Sequence, residues 1–221
     1  MSNCALIVAA GKGTRFGQPK QFYNFHGRPL FLYALEQFEK NSAIDMIILV
    51  VPKHKIRFTQ NLIKKFGYKK TRHIVSGGRR RQDSVLKGLQ KIHEKSGIVI
   101  IHDGIRPIVT NRIIKKGIKL CRKYHAVIPG IPIYETIKQV NKNLICRTVS
   151  RNNLYLIQTP QFFKINLIKN GFRKANMRTE YTDEAALIES LGHNVHLFTG
   201  DLLNIKITKK SDLKILNKFL S

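Results

Sequence analysis

Short, unbroken apolar runs alternate along this chain with longer stretches in which apolar residues recur every three or four positions. Cys4–Ala9 is such a run, closed by a glycine-rich loop, and it predicts a buried strand. Pro29 then opens a helix whose stripe is Leu30, Phe31, Ala34, Leu35 and Phe38. Met46–Val51 predicts a second buried strand, stopped by Pro52, and Ile56, Leu62, Ile63 and Phe66 predict a second helix. His73–Ser76 reads as a short strand, Val85, Leu86, Leu89 and Ile92 as a helix, and Ile98–Ile101 as a strand ending at His102-Asp103. A stripe of Ile113, Ile114, Gly117, Ile118 and Cys121 follows, with Thr110 placed to cap it, and then a strand at Ala126–Ile133. Strands alternating with helices predict parallel pairing within a three-layer α/β sheet.

The rhythm breaks at Tyr134. Tyr134–Val140 and Leu144–Val149 predict two strands joined by the turn-rich triplet Asn141-Lys142-Asn143. Helical patterns return at 164–174 and 183–191, strands at Val195–Phe198 and Asn204–Thr208, and a last helix at Asp212–Leu220. With no repeat or linker in view, the simplest organisation is one domain over residues 1–221, carrying an inserted hairpin arm at 134–150.

Composition narrows the class. A domain of 221 residues with 43% hydrophobic content buries a core large enough to need no disulfide or metal staple. Three scattered cysteines, Cys4, Cys121 and Cys146, form no CxxC and suit a reducing cytoplasm. No apolar run approaches the ~20 residues of a membrane helix, and no basic segment precedes the first one, so neither a membrane partner nor a signal peptide is expected. The net charge of +27 suggests a polyanionic partner. Lys, Ile and Asn number 26, 28 and 15, all drawn from adenine- and thymine-rich codons. The lysines are spread along the whole chain, so codon bias accounts for the charge better than nucleic-acid binding, which clustering would mark. The one dense cluster is Arg79-Arg80-Arg81, with Lys69, Lys70 and Arg72 just before it.

Three loops carry candidate chemistry. The first is Ala9-Ala10-Gly11-Lys12-Gly13-Thr14-Arg15, with Lys20 shortly after. Glycines behind a buried strand let backbone N–H groups approach phosphate oxygens, and the cations stand where a triphosphate would sit. It is not a P-loop, because Leu6 replaces the first glycine and Gly13 follows Lys12. Nor is it a dinucleotide fingerprint, because Phe16 stands at the third glycine and Pro52-Lys53 ends the second strand without an acid. The second is His102-Asp103-Gly104-Ile105-Arg106-Pro107: a lone carboxylate past the end of a buried strand suits Mg²⁺, which takes one or two carboxylates with substrate phosphates. The third is Gly77-Gly78 followed by a helix start, with Ser84 available for base or phosphate contacts.

In this order, with Pro19-Lys20-Gln21, Arg81, Thr136-Ile137-Lys138, Arg151, Thr159-Pro160-Gln161, Thr182-Asp183-Glu184-Ala185 and Asn204–Thr208, the segments resemble the 2-C-methyl-D-erythritol 4-phosphate cytidylyltransferases of the non-mevalonate isoprenoid pathway. The resemblance spans nearly the whole chain. It implies a Rossmann-like α/β/α nucleotidyltransferase fold and attack of the substrate's 4-phosphate on the α-phosphorus of CTP, releasing pyrophosphate. It further implies Arg15 and Lys20 as transition-state stabilisers, Asp103 as the Mg²⁺ ligand, and Ala9, Ala10, Gly11, Gly13, Gly77 and Ser84 as the nucleotide cradle. Thr136, Arg151 and Lys206 match positions that hold the attacking phosphate, and Arg106 is grouped with the substrate-binding residues. The arm is implied to cross to a second subunit of a homodimer. Ribitol-5-phosphate cytidylyltransferases share most of these motifs and remain the alternative; an RNA-binding protein is the alternative of another class.

Overall fold

The computed structural model describes residues 2–11, 13, 16–94 and 96–220. In chain order the elements are β1 (Ser2–Val8), β2 (Asn24–Phe25), β3 (Arg28–Pro29), α1 (Phe31–Glu39), β4 (Met46–Val51), α2 (Ile56–Lys65), β5 (Thr71–Ser76), α3 (Arg81–Leu89) and β6 (Gly97–Asp103). They continue with α4 (Asn111–Tyr124), β7 (Ala126–Pro132), β8 (Ile137–Asn141), β9 (Leu144–Val149), β10 (Tyr155–Ile157), β11 (Gln161–Lys164), α5 (Ile165–Lys174), α6 (Glu184–Glu189), β12 (His196–Thr199) and α7 (Asp212–Leu220). The main sheet runs β10-β7-β11-β6-β1-β4-β5, with β12 also on β7. Pairing is parallel through β6-β1-β4-β5, as the alternation predicts.

Alternation along β1 divides the core. Ala5 and Ile7 face the layer of α1, α2 and α4, where they pack with Phe31, Leu35, Phe38 and Ile114. Cys4 and Leu6 face the layer of α3, α5 and α6, with Val85, Ile168 and Leu187. The fold is therefore a three-layer α/β/α sandwich. Fully burying each of the leucine, isoleucine, valine and phenylalanine side chains among them stabilises by about 1.5–3 kcal/mol.

Besides β10, an unmarked strand antiparallel to β7, two segments depart from the sequence pattern. β11 is antiparallel and lies between β6 and β7, pairing Phe162 with Ile100 and Val127. Its four residues are too short to show a period. Gly117 of α4 marks it from outside, since a Cβ there would stand 2.2 Å from the Phe162 ring. Asn204–Thr208, expected as a strand, is irregular, although Ile207 still donates its N–H to the Ile105 carbonyl at 2.9 Å. The alternation that suggested a strand has another cause: Ile207 is fully buried in a satellite cluster with Phe16, Leu30 and Leu216. Pro29 sits in the short β2-β3 ladder, and the helix it was expected to open begins two residues later.

A hairpin stands where the rhythm breaks, its first strand beginning at Ile137 and not at Tyr134 as the pattern suggests. β8 and β9 pair only with each other among the described residues, across a turn in which Lys142 and Asn143 take φ of 43° and 70°. Val140, Leu144 and Ile145 are exposed on it.

Candidate active site

The carboxyl ends of β1, β4, β5 and β6 are laced together by backbone bonds. Ala9 donates to Val50 at 2.8 Å, Gly77 to Val51 at 2.8 Å and Gly104 to Val8 at 2.9 Å. These bonds bring the three candidate loops to one edge of the sheet, where open α/β sheets bind ligands. There they enclose a cleft of about 280 Å³, lined by Ala9, Ala10, Gly11, Gly13 and Lys20 from the first loop, Gly78 to Arg81 and Ser84 from the third, and Asp103, Ile105 and Lys206.

At Gly13, which lines the cleft, and at Gly77 beside it nothing larger than glycine fits, whereas Gly11 has open space around it. A Cβ on Gly13 would meet the Gln18 carbonyl oxygen at 1.9 Å, and its φ is +70°. A Cβ on Gly77 would stand 2.3 Å from that of Ala10, so the first and third loops touch at Gly77. Gln21, almost fully buried, donates Nε2 to the Gly11 carbonyl at 2.7 Å and fixes the loop from behind. Ser84 accepts from Gly78 N–H at 2.9 Å and donates to the Arg80 carbonyl at 3.1 Å, so its hydroxyl shapes the glycine pair.

Asp103 is the electrostatic centre. Its Oδ1 accepts from Arg81 Nε at 3.1 Å and its Oδ2 from Lys206 Nζ at 2.8 Å. Burial alone would raise this carboxyl, but Arg81 and Lys206 outweigh it and hold it far below the usual carboxylate range. Behind it runs a chain of bonds that also settles the state of His102. Asp103 N–H donates to Thr159 Oγ1 at 3.0 Å, Thr159 Oγ1 lies 3.1 Å from His102 Nδ1, and His102 Nε2 lies 3.1 Å from the Arg106 carbonyl. A carbonyl can only accept, so Nε2 carries the proton and Nδ1 accepts from the threonine. Burial pushes the imidazole down to about 4, and it is neutral at pH 7.

The structure thus gathers Ala9, Ala10, Gly11, Gly13, Lys20, Gly77, Ser84, Asp103 and Lys206 at one site. Arg15 lies outside the described residues, as does Lys12. Arg106, expected among the substrate-binding residues, is buried behind Asp103, where its Nη1 donates to the Asn204 carbonyl at 2.7 Å and anchors the segment that delivers Lys206. Thr136 and Arg151 are exposed on the arm and do not line this cleft; Arg151 Nη1 donates to the Tyr134 carbonyl, tying the two ends of the arm together. The sequence assigned no role to Glu184, which is 1% exposed and receives Arg81 Nη1 on both oxygens at 2.8 Å. A lone Glu at a helix start reads as a surface residue; only its placement opposite Arg81 shows otherwise. Among the described residues no group of three acidic, histidine or cysteine side chains could hold a metal, and no helix is long and apolar enough to cross a membrane.

The profile of the 2-C-methyl-D-erythritol 4-phosphate cytidylyltransferase family matches residues 3–221. A protein of that name from Clostridium novyi (strain NT) is 44% identical over 216 residues, covering 96% of this chain and 93% of its own. One from Clostridium tetani (strain Massachusetts / E88) is 42% identical over 222 residues, covering 99% and 90%. Among solved structures, that of the Francisella tularensis 2-C-methyl-D-erythritol 4-phosphate cytidylyltransferase superposes with a TM-score of 0.85 at 30% identity, covering 99% of each chain. A 4-diphosphocytidyl-2C-methyl-D-erythritol synthase superposes with a TM-score of 0.87 at 27% identity, covering 100% of this chain and 98% of that one.

Proposed function

We propose how this cleft works from one premise: the chain belongs to the 2-C-methyl-D-erythritol 4-phosphate cytidylyltransferase family. The reaction joins CTP to 2-C-methyl-D-erythritol 4-phosphate in isoprenoid biosynthesis. A phosphate oxygen of the polyol forms a bond to the α-phosphorus, the bond to the β-phosphate breaks, and pyrophosphate leaves. The observation that carries the assignment of this cleft is its charge: Lys20, Arg79, Arg80, Arg81 and Lys206 line it beside a glycine loop, with Asp103 the one acidic residue among the described lining.

The chemistry asks for little proton transfer, since the attacking phosphate is already anionic. Positioning and charge neutralisation do most of the work. The backbone of Ala9, Ala10, Gly11 and Gly13 cradles the triphosphate, and Gly77 and Ser84 flank the cytosine. Lys20 and Arg15 neutralise the charge that develops on the phosphates. Lys206 holds the attacking phosphate; its side chain is 37% exposed, which leaves it room to turn there from Asp103. Thr136 and Arg151 complete this grip from the arm of a second subunit, the arm's apolar residues being covered in the homodimer.

Asp103 fits Mg²⁺ as a single carboxylate whose remaining partners come from phosphates and water. A cation, Lys206 Nζ, already lies against its Oδ2 at 2.8 Å. When bound, the ion supplies charge neutralisation on the triphosphate. The three thiols, free in this structure, suit a reducing compartment, and the reaction belongs in the cytoplasm.

The test is pyrophosphate release with CTP and 2-C-methyl-D-erythritol 4-phosphate, against ribitol 5-phosphate, UTP and ATP, with and without EDTA. Faster turnover with ribitol 5-phosphate would move the enzyme to the alternative substrate, and turnover unaffected by EDTA would remove the metal.

A further inference from the structure

The basic run Arg79-Arg80-Arg81 is three different residues once folded. Arg79 is exposed at the cleft. Arg80, just before α3, pairs with Asp83 of that helix at 2.8 Å. Arg81, the first residue of α3, spans two carboxylates from distant parts of the chain, Asp103 at the end of β6 and Glu184 at the start of α6. Its guanidinium is a rigid planar fork, so fixing one edge fixes the other.

The fork is engaged unevenly. Nη1 reaches both oxygens of Glu184 at 2.8 Å, while only Nε reaches Asp103, on Oδ1 at 3.1 Å; Nη2 is buried without a hydrogen-bond partner. An arginine and a carboxylate left to themselves favour the two-bond, edge-on pair. Glu184 draws the guanidinium away from that arrangement. It is itself held in place: α6 is capped by Asp183, whose carboxylate receives Gln161 Nε2 of β11 at 2.8 Å. Glu184 does not line the cleft, so its influence on the site passes through Arg81.

We infer that Arg81, restrained by Glu184, is a positioning residue that fixes Oδ1 of Asp103 and thereby reserves Oδ2, paired with the partly exposed Lys206, as the oxygen offered to an incoming divalent cation. The inference rests on the reading of Asp103 as the Mg²⁺ ligand. Without Glu184, Arg81 can swing onto both oxygens of Asp103 and close the site to the cation. With lysine at position 81, the positive charge remains but the fork that sets the carboxylate's orientation is gone.

The experiment is Mn²⁺ binding to the full chain in the presence of CTP, followed by electron paramagnetic resonance. CTP affinity is measured separately in EDTA, and folding by circular dichroism. Glu184→Gln keeps the side chain's shape, and Arg81→Lys keeps the charge, so one stands in if the other fails to fold. Each is expected to weaken Mn²⁺ by about 10–100-fold, the effect typical of losing an outer partner of a metal ligand; Glu184→Gln, at a residue that does not line the cleft, should change metal-free CTP affinity less than about twofold. Asp103→Asn separates the inference from the reading beneath it. If Asp103→Asn loses Mn²⁺ while the folded variants at 81 and 184 bind it like the native protein, Arg81 is only structural and the inference fails. If Asp103→Asn binds Mn²⁺ normally, the metal reading fails and takes the inference with it.

Discussion

Replacing Asp103 by asparagine removes one charge while keeping the side chain's outline, and the surrounding contacts say how its two consequences separate. In the native protein Oδ1 faces Arg81 Nε and Oδ2 faces Lys206 Nζ, both donors. An amide can accept from only one of them, and its NH₂ must then face the other. Arg81 is the less able to move, since Glu184 holds it at 2.8 Å, so Lys206 is the residue expelled toward water. Breaking a buried pair typically costs about 3–5 kcal/mol when a charge is stranded. Here neither cation is stranded, because Arg81 keeps Glu184 and Lys206 is partly exposed, so about 1–2 kcal/mol is expected, or roughly 2–8 °C in Tm. Catalysis should fall much further, by about 10²–10³ in turnover, the loss usual for one electrostatic group aimed at developing charge. The stability difference also has a pH signature. The Asp103 carboxyl lies below its unfolded value, so its ion pairs contribute fully above about pH 4 and are lost as pH falls further. Native and variant melts should therefore converge in strong acid. Pyrophosphate release and thermal melts of the purified variant test this. A folded Asp103→Asn enzyme within about threefold of native turnover would refute the assigned role.

Three further outcomes follow from other parts of the molecule. Lys20→Ala and Arg151→Ala should each be nearly inactive alone, yet verified heterodimers of the two should regain up to about half of native activity, because one of two twofold-related sites is whole; no recovery would mean that Arg151 acts within its own subunit or not at all. His102 is buried neutral and pushed down to about 4, so the unfolded chain takes its proton first. Stability should therefore fall by about 3 kcal/mol between pH 6.5 and 4, and urea titrations of a folded His102→Gln variant should show that slope flattened. Gly77→Ala should force the first and third loops apart, since its Cβ would stand 2.3 Å from that of Ala10. About 1–3 kcal/mol of stability and most CTP affinity should be lost, readable by calorimetry.

What the sequence discloses here depends on whether a residue's role is local. β4 has the bounds read from the chain, because Met46–Val51 is an apolar run cut by a proline. Thr110 caps α4 as its position suggests, accepting from Ile113 N–H at 3.4 Å. The loops Ala9–Gly13, Gly77–Ser84 and Asp103 could be assigned to one edge, since each follows a strand of a parallel sheet. The roles that escaped are those defined by partners far away in the chain. Glu184 and Arg81 are 103 residues apart, and no spacing rule links them. Arg106 looks like a ligand-binding cation by its position after Asp103, but its partner is a backbone carbonyl 98 residues on. β11 is recognisable only by what flanks it, because four residues carry too little pattern to separate a strand from a loop.

β1 pairs along most of its length with β6 on one side and β4 on the other, and the glycine loop springs directly from its end. Central strands of this kind open only when the whole molecule does, so the amides of Leu6 and Ile7 should resist deuterium for as long as the native state lasts. The arm lies at the other extreme, a two-stranded ribbon with solvent on it, whose amides should exchange early in the free subunit. Association through the proposed arm contact would then be visible as slowed exchange at residues 137–149 alone, with the cleft edge already protected before any partner arrives.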